Sequence, residues 1–353
     1  MEEAKEKKIL FDLFPPVSTD DWEDKIIKDL KGADYQKKLV WKTNEGFEVQ
    51  PYYRSEDLEK TQYAKSSPGQ APYLRGNRAE GNDWFIHQDI KVKDIDEANK
   101  EALEILNKGV NSLGFVFEEK CIANQEDFDR LVRGIFLDST KISFKSGSES
   151  PDYMVMLKNN VEKRKFTTKD IQGADDFDII LPLTIGKGFY NNDVDKAFER
   201  CKKTLDFAVE NLPAFKAITV HGNIFHNAGA NVVQELAYTI SNASEYISRL
   251  ADMGANAEKI ANSMQFVFSV GSNYFFEIAK LRAARVLWSR IQEAYGIEEA
   301  NISAMSIQAE TSLWNKTIYD PYVNMLRSTT ETMSAAIAGA DSINTQPFNN
   351  IFT

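Results

Sequence analysis

From Asp83 onward, short apolar runs with a period of two alternate with longer runs whose apolar residues recur every three or four positions. Candidate strands fall at 84–90, 110–117, 141–146, 178–184, 216–222, 264–270, 302–310 and 341–347. Helical patterns lie between them at 94–108, 124–133, 152–165, 193–211, 227–250, 273–294 and 316–338. The unit is plainest at 264–292, where Met264, Phe266, Phe268 and Val270 alternate with Gln265, Val267 and Ser269. After Gly271 the spacing turns helical through Tyr274, Ile278, Leu281, Ala284, Trp288 and Ile291. Strands separated by helices bury both faces only as a parallel sheet covered by helices, which makes the chain α/β. Eight such strands over about 265 residues is the arithmetic of a (β/α)8 TIM barrel. A doubly wound open sheet is the other arrangement, but no GxGxxG or GxxxxGK[ST] phosphate loop follows any strand.

Composition bounds the partners. The chain has 353 residues, 42% hydrophobic and 27% charged, enough for one large domain plus an appendage. A net charge of −11 argues against nucleic acid and anionic membranes, which call for excess Lys and Arg. Cys121 and Cys201 cannot build a disulfide framework, and the start MEEAKEKK lacks the apolar core of a signal peptide. No apolar run approaches the roughly 20 residues that span a bilayer, so the expected location is the cytoplasm.

Residues 1–80 read as an extended N-terminal arm and 81–350 as the barrel. In the arm, Ser18-Thr19-Asp20-Asp21 reads as the cap of a short amphipathic helix that ends at Gly32, and 39–53 as a hairpin turning at Asn44-Glu45-Gly46. The arm has too few apolar residues for a core, yet carries Phe11, Phe14, Trp22, Trp41, Phe47, Tyr52 and Tyr53. Those rings need the barrel or a second chain to cover them.

TIM barrels are generally filled by Val, Ile and Leu. Here the faces opposite the apolar ones offer Ser112, Gly114, Thr219, His221, Gln265, Ser269, Ser306, Gln308, Ser342 and Asn344. Small polar groups cannot fill a dry lumen. Either they form a hydrogen-bonded network, or the lumen admits a polar, chain-like ligand.

Four long segments resemble the methylmalonyl-CoA mutase family, most closely the small, non-catalytic chain of its two-chain bacterial form. They are YLRGNRAEGNDWFIHQDI (73–90), AITVHGNIFHNAGA (217–230), SVGSNYFFEIAKLRAARVLW (269–288) and ETSLWNKTIYDPYVNMLRSTTETMSAAIAGADSINTQPF (310–348). The resemblance implies a barrel whose axis receives the pantetheine arm of coenzyme A, in an isomerase that interconverts methylmalonyl-CoA and succinyl-CoA during propionate metabolism. The family's catalytic identities do not carry over. Where a catalytic chain has Gly-Tyr-His-Met-Gln-Glu-Ala-Gly, this one has Gly222 to Gly229 with Ile224 at the histidine position. Asp89 stands for the tyrosine after the first strand, Glu199 for the carboxylate-binding arginine in an ungapped register, and Gln308 and Glu310 for the histidine and glutamine of the seventh strand. The family's Asp-x-His-x-x-Gly cobalt-ligand motif is absent, and the chain is expected to be a piece of a longer one lacking the C-terminal flavodoxin-like domain. The resemblance therefore implies a silent chain that binds no cofactor itself. It would pair as a heterodimer with a large catalytic subunit holding adenosylcobalamin, and would self-associate when alone. The alternative is an acyl-CoA-binding barrel that is an enzyme or binding module in its own right.

The polar residues expected at the barrel mouth are His87, Gln88, Asp89, His221, Asn223, His226, Gln308, Glu310, Asn344 and Gln346. Asp89 with His87 and His221 could serve as an acid/base pair at strand ends. A metal site is not expected, because His221 and His226 lack helical ligand spacing with Glu235 and Glu245. Gly186-Lys187-Gly188 reads as a loop, and Arg282 and Arg285 as structural, with Glu277 in reach.

Overall fold

A computed structural model describes residues 14–61, 63, 66–117, 121–145, 150–186 and 193–350. Two compact units are present, Met1–Ala64 and Lys65–Thr353.

In the first unit a helix runs over Thr19–Asp29, with Ser18 Oγ accepting from the Asp21 N–H as its cap. A second, Tyr35–Leu39, is capped by Asp34, and a third covers Ser55–Glu59. Trp41–Lys42 and Glu48–Val49 pair antiparallel across the Asn44-Glu45-Gly46 turn. None of these helices buries a residue. Polar and ring contacts stitch the unit instead: Tyr52 donates to Glu23 at 2.6 Å, its ring lies 5.6 Å from Trp22, and Arg54 donates to the Val17 carbonyl at 2.6 Å. Phe14, Trp22, Trp41, Phe47 and Tyr53 stay exposed; Phe11 lies outside the described residues.

The second unit is an α/β barrel. Its strands are β1 (Phe85–Lys91), β2 (Ser112–Val116), β3 (Lys141–Lys145), β4 (Gly173–Asp175), β5 (Phe215–Lys216 continued by Ile218–His221), β6 (Met264–Val270), β7 (Ser306–Thr311) and β8 (Ser342–Asn344). All neighbours are parallel, β8 pairs with β1, and the two halves of β5 pair with β4 and β6, which closes the sheet. A closed sheet excludes the doubly wound alternative.

The helices that matter for the site are α1 (Ile95–Asn107), α2 (Gln125–Leu131), α3 (Ser150–Lys163), α4 (Val194–Asn211), α5 (Val232–Asp252), α6 (Tyr274–Ala294) and α7 (Val323–Ile337). Their starts are written in the sequence: Asp94, Asn124, Asp193 and Asn231 accept from first-turn N–H groups. The hydrophobic core is the ring between sheet and helices. Leu113, Phe115, Ile142, Phe144, Ile218, Val220, Phe266, Phe268, Ile307 and Ile343 face outward into it. Phe266 meets Trp288 of α6 edge-on at 4.8 Å, and Phe144 meets Phe128 of α2 and Tyr153 of α3.

The fourth strand corrects the sequence reading. The apolar run 178–184 is not a strand; Ile180–Thr184 is a short helix whose first turn is held by Asp178, which accepts from the N–H groups of Ile180 and Leu181. Pro182 fits there because first-turn N–H groups have no helical partner to lose. The strand is Gly173–Asp175, three residues of low strand propensity. Gly173 is required, since a Cβ there would lie 2.0 Å from the Ile142 carbonyl and 2.2 Å from the Phe215 ring. Residues 66–83 pack with the barrel: Tyr73 donates to the Ile302 carbonyl at 3.2 Å and Asn77 to that of Met305 at 2.8 Å.

Candidate functional site

Alternation along the strands turns one set of side chains to the axis. From β1 these are Phe85, His87 and Asp89; from β3, Lys141, Ser143 and Lys145; from β7, Ser306, Gln308 and Glu310. Both lysines of β3 cross the lumen. Lys145 Nζ lies 3.0 Å from Asp89 Oδ2 and 3.4 Å from Glu310 Oε1 on β7, the strand diametrically opposite. Lys141 Nζ donates to Gln265 Oε1 on β6 at 2.8 Å.

Around Lys145 the remaining bonds close on the same two carboxylates. Asn344 donates to Asp89 at 2.9 Å, and Asn223 and Gln308 donate to Glu310 at 3.0 and 3.2 Å. His87 bridges Ser112 Oγ (2.7 Å) and Asp89 Oδ1 (3.1 Å). Gly114 leaves room for this: a Cβ there would meet Asp89 Oδ1 at 2.1 Å. Burial alone would raise the Asp89 carboxyl, but the Lys145 charge and the His87 bond outweigh it and hold it well below the usual carboxylate range. Lys145 is held above the ordinary lysine range, because Glu310 and Asp89 overcome its desolvation. An ammonium fixed in its charged form is no nucleophile. The lumen between β3 and β7 is thus occupied by an ionic network of one ammonium and two carboxylates, and towards the amino-terminal end a cavity of about 240 Å³ reaches Lys141, Lys216, Phe85 and Asp341. Burial, partly opposed by Asp341, lowers Lys141 to about 8.

His221 sits beside this network, Nε2 2.9 Å from Asp176 and Nδ1 3.0 Å from Asp178, which also accepts from the Tyr246 hydroxyl at 2.7 Å. Desolvation lowers its pKa, yet the Asp176 charge and the two carboxylate hydrogen bonds prevail and raise it to about 10. A folded-state pKa above the unfolded value near 6.5 stabilises fully below that value and is lost as pH rises through about 10. Urea unfolding at pH 6 and pH 10 should therefore show a fall on the order of 2 kcal/mol that is reduced in His221→Gln. Equal falls in both proteins would contradict the assignment.

A second buried network lies behind the mouth. Glu235 of α5, fully buried, accepts from Lys280 Nζ at 2.6 Å and from the Ser269 N–H at 3.0 Å. Lys280 also lies 2.6 Å from Glu277 and donates to the Ser269 carbonyl. His226 joins it, with Nε2 2.8 Å from Ser312 Oγ and Nδ1 3.6 Å from Glu235.

Of the residues read from sequence, His87, Asp89, Asn223, Gln308, Glu310 and Asn344 meet at the Lys145 cluster, with His221 alongside. Three do not. Gln88 falls between two inward residues, so it is on the opposite face of β1. Gln346 lies past β8 in a groove with Met325 and Met333, bonded to Asn350. His226 belongs to the second network. Glu199 is exposed midway along α4, on the outer helical layer, so the ungapped register does not bring it to the lumen. Ile224 lies in the short helix Asn223–Asn227 after β5. Phe115 and Phe144 pack outward, and Phe225 lies tilted against Tyr238 with ring centroids 5.0 Å apart; none plugs the lumen. Glu277 serves Lys280, not the arginines of α6. Lys187 lies outside the described residues. Lys141, Lys145, Asp176 and Asp178 were missed, although the Lys-Ile-Ser-Phe-Lys alternation of β3 places both lysines on the face of Ser143.

No group of three or more His, Cys, Asp and Glu among the described residues is arranged to hold a metal. Cobalt ligation needs a histidine with an accessible, unpaired ring nitrogen; His87 and His221 have both nitrogens on protein partners, and His226 gives Nε2 to Ser312 while its Nδ1, though not hydrogen-bonded, is buried 3.6 Å from Glu235. The residues present do not fit a cobalamin ligand. No helix among the described residues is long and apolar enough to cross a membrane.

The methylmalonyl-CoA mutase family profile matches residues 42–121 and 120–353. A methylmalonyl-CoA mutase small subunit from Porphyromonas gingivalis is 43% identical over 98% of this chain and 55% of its own length. The small subunit from Propionibacterium freudenreichii subsp. shermanii is 31% identical over 95% of this chain and 53% of its own. A large subunit from Streptomyces virginiae is 24% identical over 94% and 48%. The chain spans about half the length of these relatives. A barrel of this architecture matched by that profile over nearly its whole length belongs to the methylmalonyl-CoA mutase family.

Proposed function

We propose that this chain is the small subunit of an adenosylcobalamin-dependent methylmalonyl-CoA mutase in the cytoplasm, and that it stabilises a large catalytic subunit while being catalytically silent itself. The observation that carries the reading is Lys145, reaching from β3 to Glu310 on β7 across the axis that a pantetheine arm would occupy. Threading such an arm would strip Asp89 and Glu310 of their shared ammonium, which costs more than a neutral thioester chain returns. The cofactor is assigned to the partner because no histidine here offers an accessible, unpaired ring nitrogen to cobalt. Relatives named as small and large subunits support a two-chain enzyme.

The N-terminal unit supplies the contact. Phe14 and Tyr53 are 72% and 62% exposed on a unit whose helices bury nothing. Such rings act as anchors worth about 2 kcal/mol or more each at the centre of an interface. Deleting residues 1–53 is expected to abolish capture of the large subunit in a pull-down while the barrel keeps its circular dichroism. Retained capture would move the interface to the barrel helices.

A further inference from the structure

Lys141 and Lys145 share one face of β3, but their surroundings differ. Lys145 is held by two carboxylates. Lys141 is enclosed without any: its Nζ donates to Gln265 Oε1 at 2.8 Å and lies 5.9 Å from the centre of the Phe85 ring, and no carboxylate pairs with it among the described residues. An ammonium carries three donors, so a single amide oxygen leaves the charged form under-satisfied, whereas a neutral amine is content with that one bond.

The side chain lines the amino-terminal cavity together with Lys216, Arg78, Asn77, Ser306 and Asp341. Asp341 is already committed. It accepts from Asn77 at 3.1 Å and from the Ile307 N–H at 2.8 Å, and Arg78 lies 3.5 Å away. Lys216 of β5 donates to the Asn262 carbonyl and has no ion pair among the described residues. Asp138 and Asp170, which line a smaller neighbouring cavity that Lys141 also borders, are exposed and pair with neither lysine. The lining therefore sets the cations Lys216 and Arg78 against the single carboxylate of Asp341, before Lys141 is counted. Burial lowers Lys141 to about 8, with Lys216 adding to the effect and Asp341 opposing it. Burial lowers Lys216 as well, again against Asp341. A desolvated lysine beside a second cation is the arrangement that makes an amine nucleophilic.

We infer that Lys141 is a carbamylation site, whose amine adds carbon dioxide to form a carbamate facing the amino-terminal cavity. The nitrogen lone pair forms an N–C bond, one C=O π pair of carbon dioxide moves onto oxygen, and an amine proton leaves to water. Carbon dioxide suits the cavity in two respects. It is small and neutral, so it reaches an enclosed amine without the desolvation that holds back a charged reagent. Its adduct is an anion, which sets two negative groups, the carbamate and Asp341, against Lys216 and Arg78. The N–H that remains can keep the bond to Gln265 Oε1. Lys145 is unsuited to the same reaction, because Asp89 and Glu310 keep it an ammonium. A carbamate paired with Lys216 would tie β3 to β5 across the mouth, independently of the Lys145 bridge and of the catalytic silence argued above.

The test equilibrates the full chain with carbon-13-labelled bicarbonate at pH 8, near the midpoint of the Lys141 titration. Carbamates are read by carbon-13 NMR and located by alkylation with triethyloxonium followed by peptide mass mapping. A trapped carbamate on Lys141 is expected, absent in Lys141→Arg, which keeps the charge and loses the nucleophile. In Lys216→Gln the bicarbonate titration should show affinity weakened about tenfold, since the charge facing the carbamate is gone. Circular dichroism checks each fold, and if a variant does not fold the wild-type map decides. Label confined to the α-amino group or to other lysines overturns the site, and so does unchanged affinity in folded Lys216→Gln.

Discussion

Lys280→Met is expected to destabilise the chain by about 4 kcal/mol in urea unfolding at pH 7. Lys280 is completely enclosed, with Glu235 and Glu277 each 2.6 Å from its ammonium. Methionine keeps the length of the side chain and removes the charge, so two carboxylates, exposed by no more than 3%, would lose their ammonium, leaving His226, 3.6 Å from Glu235, as the group beside them. An uncompensated buried charge costs far more than the net worth of the pair that held it. The loss should shrink towards pH 4, where protonation of the carboxylates removes the repulsion. A loss below about 1 kcal/mol at pH 7 would mean that the network relaxes at little cost.

Lys145→Met is the second large effect, about 3 kcal/mol. It is smaller because Lys145, Asp89 and Glu310 keep 14–25% of their side-chain surface exposed, and water can partly solvate the stranded carboxylates. Combining it with Asp89→Asn and Glu310→Gln should restore most of the loss, since the three groups act as one unit. A triple variant as unstable as the single one would show that the lysine stem, by packing, matters more than its charge.

The fold was legible because its signal is periodic. Seven of the eight strands lie within the predicted runs or overlap them, and the apolar sides of β2, β3, β5 and β6 pack under the helices. The fourth strand was not legible. Gly173-Ala174-Asp175 has neither length nor branched side chains, and a nearby apolar run, 178–184, imitated a strand while being the helix that Asp178 starts. Polar inward positions could be read as a class, but not their pairings. Those depend on which strands stand opposite each other across the closed sheet, which is why Lys145 reaching Glu310, at a sequence separation of 165, left no local trace. Gln88 and Gln346 were grouped with the mouth by nearness in sequence; the pleat turns one away, and the chain leaving β8 carries the other into the α7 groove.

The central claim, that this barrel contributes structure and no chemistry, is tested most directly by assaying the isolated chain for interconversion of methylmalonyl-CoA and succinyl-CoA, with and without added adenosylcobalamin. The account predicts turnover indistinguishable from the buffer blank in both arms. Isomerisation above the blank in either arm would contradict it, because a reacting thioester would have to pass the Lys145–Glu310 bridge.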